Sequence, residues 1–261
     1  VLDRYKPDLV FVTDVFHEDD AHLLAEARLK QIKTVGMVRS WDNFTTKGTL
    51  RIKPRKLIVH NNHVREEAIK YGDMRMDDIL VSGYPQFDHY LSGERMARAE
   101  FFQKIRLNPE KKLILFSPLG RRFWDLDWQF MEMLKQGGYQ VLVRFPPNDD
   151  VHLGKFEPNE NFYIDRPGSK FAKGVSRDTE LTRQDLDWLA DSLYHCDLAV
   201  VVGATIGIDA AIFDKPVILI GFDGWEKIPY IKSVARWLEF SHAEPVFRTG
   251  AFRVARSKDE L

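Results

Sequence analysis

A stretch of small residues between an apolar strand and a helix is the part of the sequence best suited to bind an anion. Segment 197–202 is short, apolar and rich in β-branched residues, which predicts a buried strand. A helix that begins just after such a strand directs free backbone N–H groups and partial positive charge towards the carboxyl edge of the sheet. The candidate contacts are Gly203, Ala204, Thr205, Gly207 and Asp209. They suit a phosphate beside a ribose, and an ordinary strand–helix turn is the alternative.

Two other predicted strands end in residues that could hold a diphosphate. Ser117 and Arg121 lie in a Pro/Gly loop after one strand, and Arg144 closes the next. A guanidinium donates forked hydrogen bonds to phosphate, and an arginine that closes a buried strand needs an anion or an acidic partner. The alternative for Arg144 is an internal salt bridge, and for Arg121 it is a solvated surface. Together with the small-residue turn, these residues predict one positively polarised pocket.

An acid and a histidine near the start of the chain are the candidate proton carriers. Asp14 follows the predicted strand 8–13, and His17 comes three residues later. Histidine titrates near neutral pH, and a carboxylate can orient it or accept a proton itself. The alternative is a polar loop that caps the helix beginning near Asp20.

No metal site is expected, because the acids and histidines of segment 14–22 match no familiar ligand spacing.

The loop after the following strand combines an aromatic ring with hydrogen-bonding groups, a mixture that suits recognition of a sugar. Its candidate substrate-binding residues are Trp41, Asp42, Asn43, Thr45, Thr46 and Lys47. Binding residues are often carried on loops held by a rigid scaffold. An ordinary surface loop is the alternative, although an exposed tryptophan would be unusual there.

The composition argues against several classes of protein. The 261 residues include 38 Lys and Arg against 39 Asp and Glu, and the net charge of -1 argues against a dedicated nucleic-acid binder. The single cysteine, Cys196, excludes an intrachain disulfide framework and favours a reducing compartment. Since no apolar run is long enough to cross a bilayer, we expect a cytoplasmic protein. The basic run 51–56 is most simply a solvated face, with contact to an anionic membrane surface as the alternative.

Strands and helices alternate along the chain, which predicts parallel sheets with helices on both faces. A polar linker at 107–110 separates two such series, so we expect a first domain over residues 1–106 and a second over 107–261. Two facing doubly wound domains would form a cleft between the carboxyl edges of their sheets, where ligands of such folds bind.

Six segments, in their order and spacing, resemble glycosyltransferases with two Rossmann-like domains, the GT-B type. The resemblance is to the CDP-glycerol glycerophosphotransferase-like and UDP-N-acetylglucosamine 2-epimerase-like branches of bacterial surface-polysaccharide synthesis. The segments are PDLVFVTD (7–14), SWDNFTTKG (40–48), VSGYPQFD (81–88), ILFSPLGRR (114–122), VLVRFPPND (141–149) and DLAVVVGATIGIDAAIFDKPVI (197–218). The resemblance covers nearly the whole chain and implies a first domain truncated at its N-terminus.

The resemblance also implies roles for individual residues. It implies that Thr205 and its neighbours bind the donor diphosphate and that Asp209 faces the ribose. Arg121 and Arg144 would line the nucleotide site, and Asp14 would belong to the catalytic centre.

The sequence therefore favours a glycosyltransferase that moves a sugar from a nucleotide-diphosphate donor to a surface-polysaccharide or lipid-linked acceptor, without a metal or other cofactor. The second domain would bind the donor and the first the acceptor, with a possible site of action at the inner face of the membrane. The epimerases carry a His-Arg pair where this chain has Arg-Arg at 121–122, which disfavours epimerisation. The alternatives are CDP-glycerol-type transfer of a polyol phosphate and a catalytically inactive nucleotide-binding module.

Overall fold

The computed structural model contains two compact α/β units, Val1–Leu91 and Ser92–Leu261. It describes all residues except 122–124, 148–150, 172–178 and 204. Each unit has a parallel sheet with connecting helices, which confirms the predicted α/β class with two Rossmann-like units. Within the described residues, no helix combines the length and the apolar character needed to cross a membrane.

The first unit is built on a parallel sheet whose strands follow the order of the chain. The strands are β1 (Leu9–Val12), β2 (Lys33–Met37), β3 (Lys56–Val59) and β4 (Ile79–Val81). The helices are α1 (Leu2–Tyr5), α2 (Glu18–Leu29), α3 (Asn43–Thr46), α4 (Asn62–Lys70) and α5 (Pro85–Leu91). The sheet order is β1-β2-β3-β4, and α2 and α4 contribute to one core cluster on the same face of the sheet, as expected for crossovers of one hand.

That helix-covered face holds the core of the first unit. Val10 and Val12 of β1 pack there with Leu24 of α2. The alternate residues Leu9 and Phe11 are 48% and 49% exposed. The predicted strand 8–13 therefore forms, but it is buried on one face.

The second unit is built on a larger parallel sheet. Its strands are β5 (Leu113–Ser117), β6 (Gln140–Arg144), β7 (Phe162–Asp165), β10 (Leu198–Val201), β11 (Val217–Ile220) and β12 (Phe252–Ala255). Two short strands, β8 (Ser169–Lys170) and β9 (Thr179–Glu180), form a separate antiparallel pair. Its helices are α6 (Arg98–Ile105), α7 (Asp127–Gln136), α8 (Arg183–His195), α9 (Ile206–Ile212) and α10 (Ala243–Arg248). Short 3-10 helices span Tyr230–Lys232 and Val234–Glu239.

The direction of strand addition reverses between β5 and β10. The larger sheet has the order β12-β11-β10-β5-β6-β7, so the chain first builds outwards from β5 on one side and then on the other. β5 and β6 are buried along their whole length, as expected for apolar central strands of a parallel sheet. The carboxyl ends of β5, β6 and β10 meet at this switch point, the place where open α/β sheets bind ligands.

The boundary between the units lies at Leu91 and Ser92, whereas the sequence analysis placed it after residue 106. Helix α6 accounts for the difference, because it packs on α8 of the second unit. The ring of Phe101 lies 5.1 Å from that of Trp188 and 4.8 Å from that of His195, measured between centroids. Segment 92–106 therefore shares the core of the unit that follows it.

The junction between α8 and β10 is tightly packed. Cys196 is 1% exposed, and burial raises the pKa of its thiol to about 12. The next residue, Asp197, accepts hydrogen bonds from Lys112 Nζ (2.8 Å) and from the backbone N–H of Leu113 (2.9 Å). These bonds hold the start of β10 against the start of β5.

Candidate functional site

A cavity of about 340 Å³ lies at the switch point of the second sheet. Four of the predicted donor-binding residues line it, from the ends of β5 and β6 and from the start of α9. These residues are Ser117, Arg144, Thr205 and Asp209. Apolar side chains such as Pro146 and Leu189 contribute to the remaining wall. The structure thus brings these four residues together, as their positions after successive parallel strands predict, and their contact with a ligand stays a prediction.

Arg144 has an acidic partner inside the protein. Its side chain is buried, and the guanidinium forms an ion pair through Nη1 with Asp165 at the end of β7. Nη2 donates to the backbone carbonyl of Asp185 at 3.2 Å. Burial raises the pKa of Asp165, and the neighbouring Arg144 opposes that shift. The internal salt bridge considered as the alternative is therefore present, and it offsets the positive charge that Arg144 was expected to bring to the pocket.

The start of α8 is fixed by a capping box beside the same cavity. The Thr182 side chain accepts from the backbone of Asp185 at 3.2 Å, and the Asp185 carboxylate accepts from the backbone N–H of Thr182 at 2.8 Å. Asp185 also accepts from the backbone N–H of Gly168 at 3.1 Å. These bonds set the positions of Leu181 and Leu189 in the cavity wall.

The two glycines of the small-residue turn are needed for packing. Gly203 has a φ of 57°, and a Cβ built there would lie 2.7 Å from Cε3 of Trp237. A Cβ on Gly207 would lie 2.8 Å from Cε1 of Phe252. The space beside each glycine is thus taken by an aromatic ring of the protein. Ala204 lies outside the described residues.

The loop after β5 uses some of its backbone donors internally. Asp127, buried at the start of α7, accepts hydrogen bonds from the backbone N–H groups of Leu119 (3.0 Å) and Gly120 (2.9 Å). Arg121 follows this bonded stretch, is exposed, and is absent from the described cavity lining. Arg121 is therefore not among the residues that line this cavity, and its contact with a ligand stays a prediction.

In the first unit, Asp14 lies between two cations at the carboxyl edge of the sheet. Its carboxylate is buried, with Oδ2 lying 3.2 Å from Lys47 Nζ and 3.8 Å from Arg39 Nη1. Oδ1 accepts from the backbone N–H of Phe16 at 3.2 Å. Lys47 was predicted to bind substrate, and the structure places it against the predicted proton carrier. Sequence reasoning missed Arg39, although it follows β2 much as Asp14 follows β1.

His17 and Asp14 do not form a side-chain pair in the described contacts. His17 occupies the N-cap position of α2, and its Nδ1 lies 3.9 Å from Asp19 Oδ2. The backbone N–H of His17 donates to the Asp14 carbonyl at 2.9 Å. The His17 side chain makes no capping hydrogen bond, so the structure does not decide between the capping loop and the catalytic pair, and proton transfer by His17 stays a prediction.

The polar residues of the predicted substrate loop largely bond to one another. The hydroxyl of Thr46 donates to Asp42 Oδ2 at 3.0 Å, and that of Thr45 donates to the Asp42 carbonyl at 2.9 Å. Asn43 is buried, and its Oδ1 accepts from the backbone N–H of Ser40 at 3.0 Å. Trp41 is partly buried, and its contact with a substrate stays a prediction. These bonds shape the turn that delivers Lys47 to Asp14.

His60 is a histidine that is buried in the first unit. It follows β3, is 5% exposed, and its ring centroid lies 4.0 Å from that of Tyr84. Its Nδ1 has no hydrogen-bond partner in the described structure. Burial lowers the pKa of His60, and a bond to the Val38 backbone opposes that shift. Tyr84 in turn donates its hydroxyl to the Arg39 carbonyl at 3.0 Å, which connects His60 to the surroundings of Asp14.

The basic run 51–56 is partly neutralised by acids of its own unit. Lys53 pairs with Asp73, and Lys56 Nζ lies 2.9 Å from Asp78 Oδ1. Both lysines also donate to backbone carbonyls. The run therefore contributes less net positive charge than its sequence suggests, and membrane contact at this place stays a prediction.

Comparison with known proteins identifies the fold. No family model matches the sequence, and no curated protein matches it. Solved structures do match. The UDP-GlcNAc 2-epimerase of Methanocaldococcus jannaschii, solved with UDP-GlcNAc and UDP, is 14% identical, covers 100% of this chain and gives a TM-score of 0.63. The enzyme of Neisseria meningitidis, bound to UDP-GlcNAc, is 11% identical, covers 99% of this chain and gives a TM-score of 0.61.

A Listeria monocytogenes protein with a provisional assignment as a UDP-N-acetylglucosamine 2-epimerase is 11% identical over 100% of this chain, with a TM-score of 0.59. The chain spans 65%, 67% and 68% of the Listeria, Neisseria and Methanocaldococcus proteins. At this level of identity the likeness concerns the fold alone. The chain thus has the GT-B-type fold of the UDP-GlcNAc 2-epimerases, built from two Rossmann-like units.

Proposed function

We propose that the second unit binds a nucleoside diphosphate and that the protein is a glycosyltransferase that uses a nucleotide-sugar donor. The observation that carries the proposal is the cavity at the switch point, with Ser117, Arg144, Thr205 and Asp209 in its wall. Its volume of about 340 Å³ is in the range of small-molecule sites. The ligand class is supported by the two solved structures of this fold that contain UDP-GlcNAc.

Each residue of the cavity has a role in this proposal. The hydroxyls of Ser117 and Thr205 donate to phosphate oxygens, and Asp209 accepts from the ribose hydroxyls. Arg144, which Asp165 already pairs, orients the nucleotide and adds little net charge. We assign to Arg121, in the exposed loop after β5, the role of supplying positive charge near the diphosphate as the negative charge of the leaving group develops.

The first unit supplies the acceptor site and the base. The Asp14 carboxylate accepts the proton of the acceptor hydroxyl, while Lys47 and Arg39 hold its orientation. The loop that contains Trp41 and Asp42 contacts the acceptor. The reaction proceeds without a metal, so EDTA should leave the rate of donor consumption unchanged.

A thermal-shift screen tests the donor site. UDP, GDP and CDP, each with its sugar or glycerol conjugate, are compared on the wild-type protein and on Thr205→Tyr, which fills the cavity. Thr249→Tyr is the matched control, because Thr249 is exposed and absent from the cavity lining. We expect one nucleotide family to raise the Tm of the wild type and the control but not of Thr205→Tyr. Equal shifts in all three proteins, or no shift in any, would contradict the assignment of the cavity.

A nucleotide-sugar 2-epimerase is the second candidate, because the solved structures of this fold include such enzymes. The two reactions have different products. Transfer or slow hydrolysis releases the free nucleoside diphosphate, whereas epimerisation inverts the sugar at C2 and leaves the nucleotide attached. Proton and phosphorus NMR of UDP-GlcNAc incubated with the protein distinguishes them. Selective stabilisation by CDP and CDP-glycerol would instead favour transfer of a polyol phosphate.

A further inference from the structure

The loop that follows β11 exposes large apolar side chains. Trp225, Tyr230 and Ile231 are 47%, 55% and 66% exposed. Aromatic and aliphatic side chains of this size are usually withdrawn from water, and clusters of them on a surface mark interaction sites. All three fall within residues 223–234, which we call the apolar loop.

The exposure is not a result of a loosely held backbone. The two ends of the apolar loop are joined by a hydrogen bond from the backbone N–H of Val234 to Asp223 Oδ1 at 2.9 Å. The backbone N–H of Trp225 donates to Gln129 Oε1 of α7 at 2.7 Å. Closed loops of this kind, held at their ends, are frequently functional. The exposed side chains of Trp225, Tyr230 and Ile231 are therefore carried on a backbone that is held at these points.

The charged residues of the apolar loop differ in whether they form contacts within the protein. Glu226 accepts a hydrogen bond from Gln129 Nε2 at 3.0 Å, and Asp223 is used in closing the loop. Lys227 and Lys232 are exposed, and neither forms an ion pair within the described residues. The groups exposed to a partner are thus aromatic and aliphatic side chains, the two ammonium groups, and the carboxylate of Glu226, which is exposed although it accepts the bond from Gln129.

We propose that the apolar loop docks the protein on an anionic lipid surface. Tryptophan and tyrosine favour the boundary between water and hydrocarbon, where their rings are buried and their polar atoms stay wet. An aliphatic residue such as Ile231 enters the acyl region, and exposed lysines are attracted to anionic headgroups. A protein partner would also bury the rings, but the unpaired lysines beside them favour a negatively charged membrane.

The position of the apolar loop fits this role. β11 is parallel to β10, so the loop after β11 lies at the same carboxyl edge of the sheet as the cavity. A membrane-bound loop at that edge would hold the cavity near a lipid-linked molecule. Lipid binding itself does not depend on the nucleotide site, so Thr205→Tyr should bind vesicles like the wild type even if it binds no nucleotide.

Vesicle co-sedimentation tests the proposal. The full chain is mixed with vesicles of phosphatidylcholine alone, or of phosphatidylcholine with a minority of phosphatidylglycerol. The variants are Ile231→Ser, Trp225→Ser/Ile231→Ser and Lys227→Gln/Lys232→Gln. Tyr139→Ser is the matched control, because Tyr139 is 51% exposed but precedes β6 at the opposite edge of the sheet. Circular dichroism and Tm verify that each variant is folded.

We expect the wild type and Tyr139→Ser to bind the anionic vesicles and to bind the neutral ones less. The lysine variant should bind the anionic vesicles about fivefold more weakly for each lysine removed, and both serine variants should lose most of the binding. Failure of the wild type to bind, or equal binding by folded Ile231→Ser, would overturn the proposal. Self-association that depends on Ile231, without vesicle binding, would show that the apolar loop is a protein interface instead.

Discussion

The guanidinium of Arg144 is paired with the carboxylate of Asp165 beside the cavity of the second unit. The pair forms because β6 and β7 are parallel neighbours whose register places these two residues opposite each other. Both side chains are largely buried, so each charge depends mainly on the other for a partner. This arrangement makes Arg144 a structural residue as well as a candidate ligand contact.

Removal of one member of this pair should destabilise the protein strongly. Arg144→Ala leaves a buried carboxylate without its partner, and we expect the free energy of unfolding to fall by about 3–5 kcal/mol. The apolar double variant Arg144→Met/Asp165→Leu should recover most of that loss. Urea denaturation measures both values. Equal losses in the single and double variants would show that the pair is not the source of the stability.

Gly207 is expected to matter for packing rather than for ligand binding. Gly207→Ala places a methyl group 2.8 Å from the Phe252 ring, and such overpacking costs about 1–3 kcal/mol. Phe252→Leu should restore part of the stability in the double variant. Denaturation and a nucleotide titration are run on the same samples. A variant that keeps its stability but loses nucleotide binding would reverse this interpretation.

Asp14 provides the test between an enzyme and an inactive nucleotide-binding module. If Asp14 is the general base, Asp14→Asn should lower the rate of donor turnover about 10²–10⁴-fold without changing the Kd for the nucleotide. Asp19→Asn, at an exposed position in the first turn of α2, is the control. Turnover and nucleotide binding are measured separately. Turnover that is unaffected by Asp14→Asn would remove Asp14 from the mechanism.

His60 should make the protein less stable in mild acid. Burial lowers the pKa of His60 in the folded state below its ordinary value of 6.5. The unfolded chain therefore binds the proton more readily, so stability is present above about pH 6.5 and is lost as the pH falls through that value. His60→Phe keeps a ring beside Tyr84 but cannot be protonated.

The predicted direction of this pH effect is checked by measuring the Tm of the wild type and of His60→Phe from neutral pH to pH 5. We expect the wild type to lose Tm relative to the variant as the pH falls. His195 is also buried with a lowered pKa and titrates in both proteins, so the comparison isolates His60. Parallel curves would show that His60 does not contribute to the acid sensitivity.

The alternation of elements was predictable from sequence because central parallel strands must be apolar and their connections must be helices or loops. The same logic placed Ser117, Arg144, Thr205 and Asp209 at one edge of a sheet, since residues that follow parallel strands meet there. Local pattern was sufficient for this, because strand ends can be read from where the apolar runs stop.

Contacts between distant segments were not predictable in the same way. The partner of Arg144 depends on the register of β7, which no local pattern reports. The unit boundary depends on Phe101 packing against Trp188, a contact between distant helices. A glycine that leaves room for a ligand and one that leaves room for the Trp237 ring look identical in a sequence, so the role of Gly203 required the structure.

Cys196 offers a direct way to follow opening of the second unit. It is the sole cysteine of the chain, and in the folded state its thiol is enclosed and stays protonated at neutral pH. The thiolate is the nucleophile that attacks alkylating reagents, so modification should wait until the junction between α8 and β10 separates. The rate of incorporation of a maleimide or iodoacetamide would then report that separation at a single natural position, and stabilisation by a bound nucleotide would appear as slower labelling.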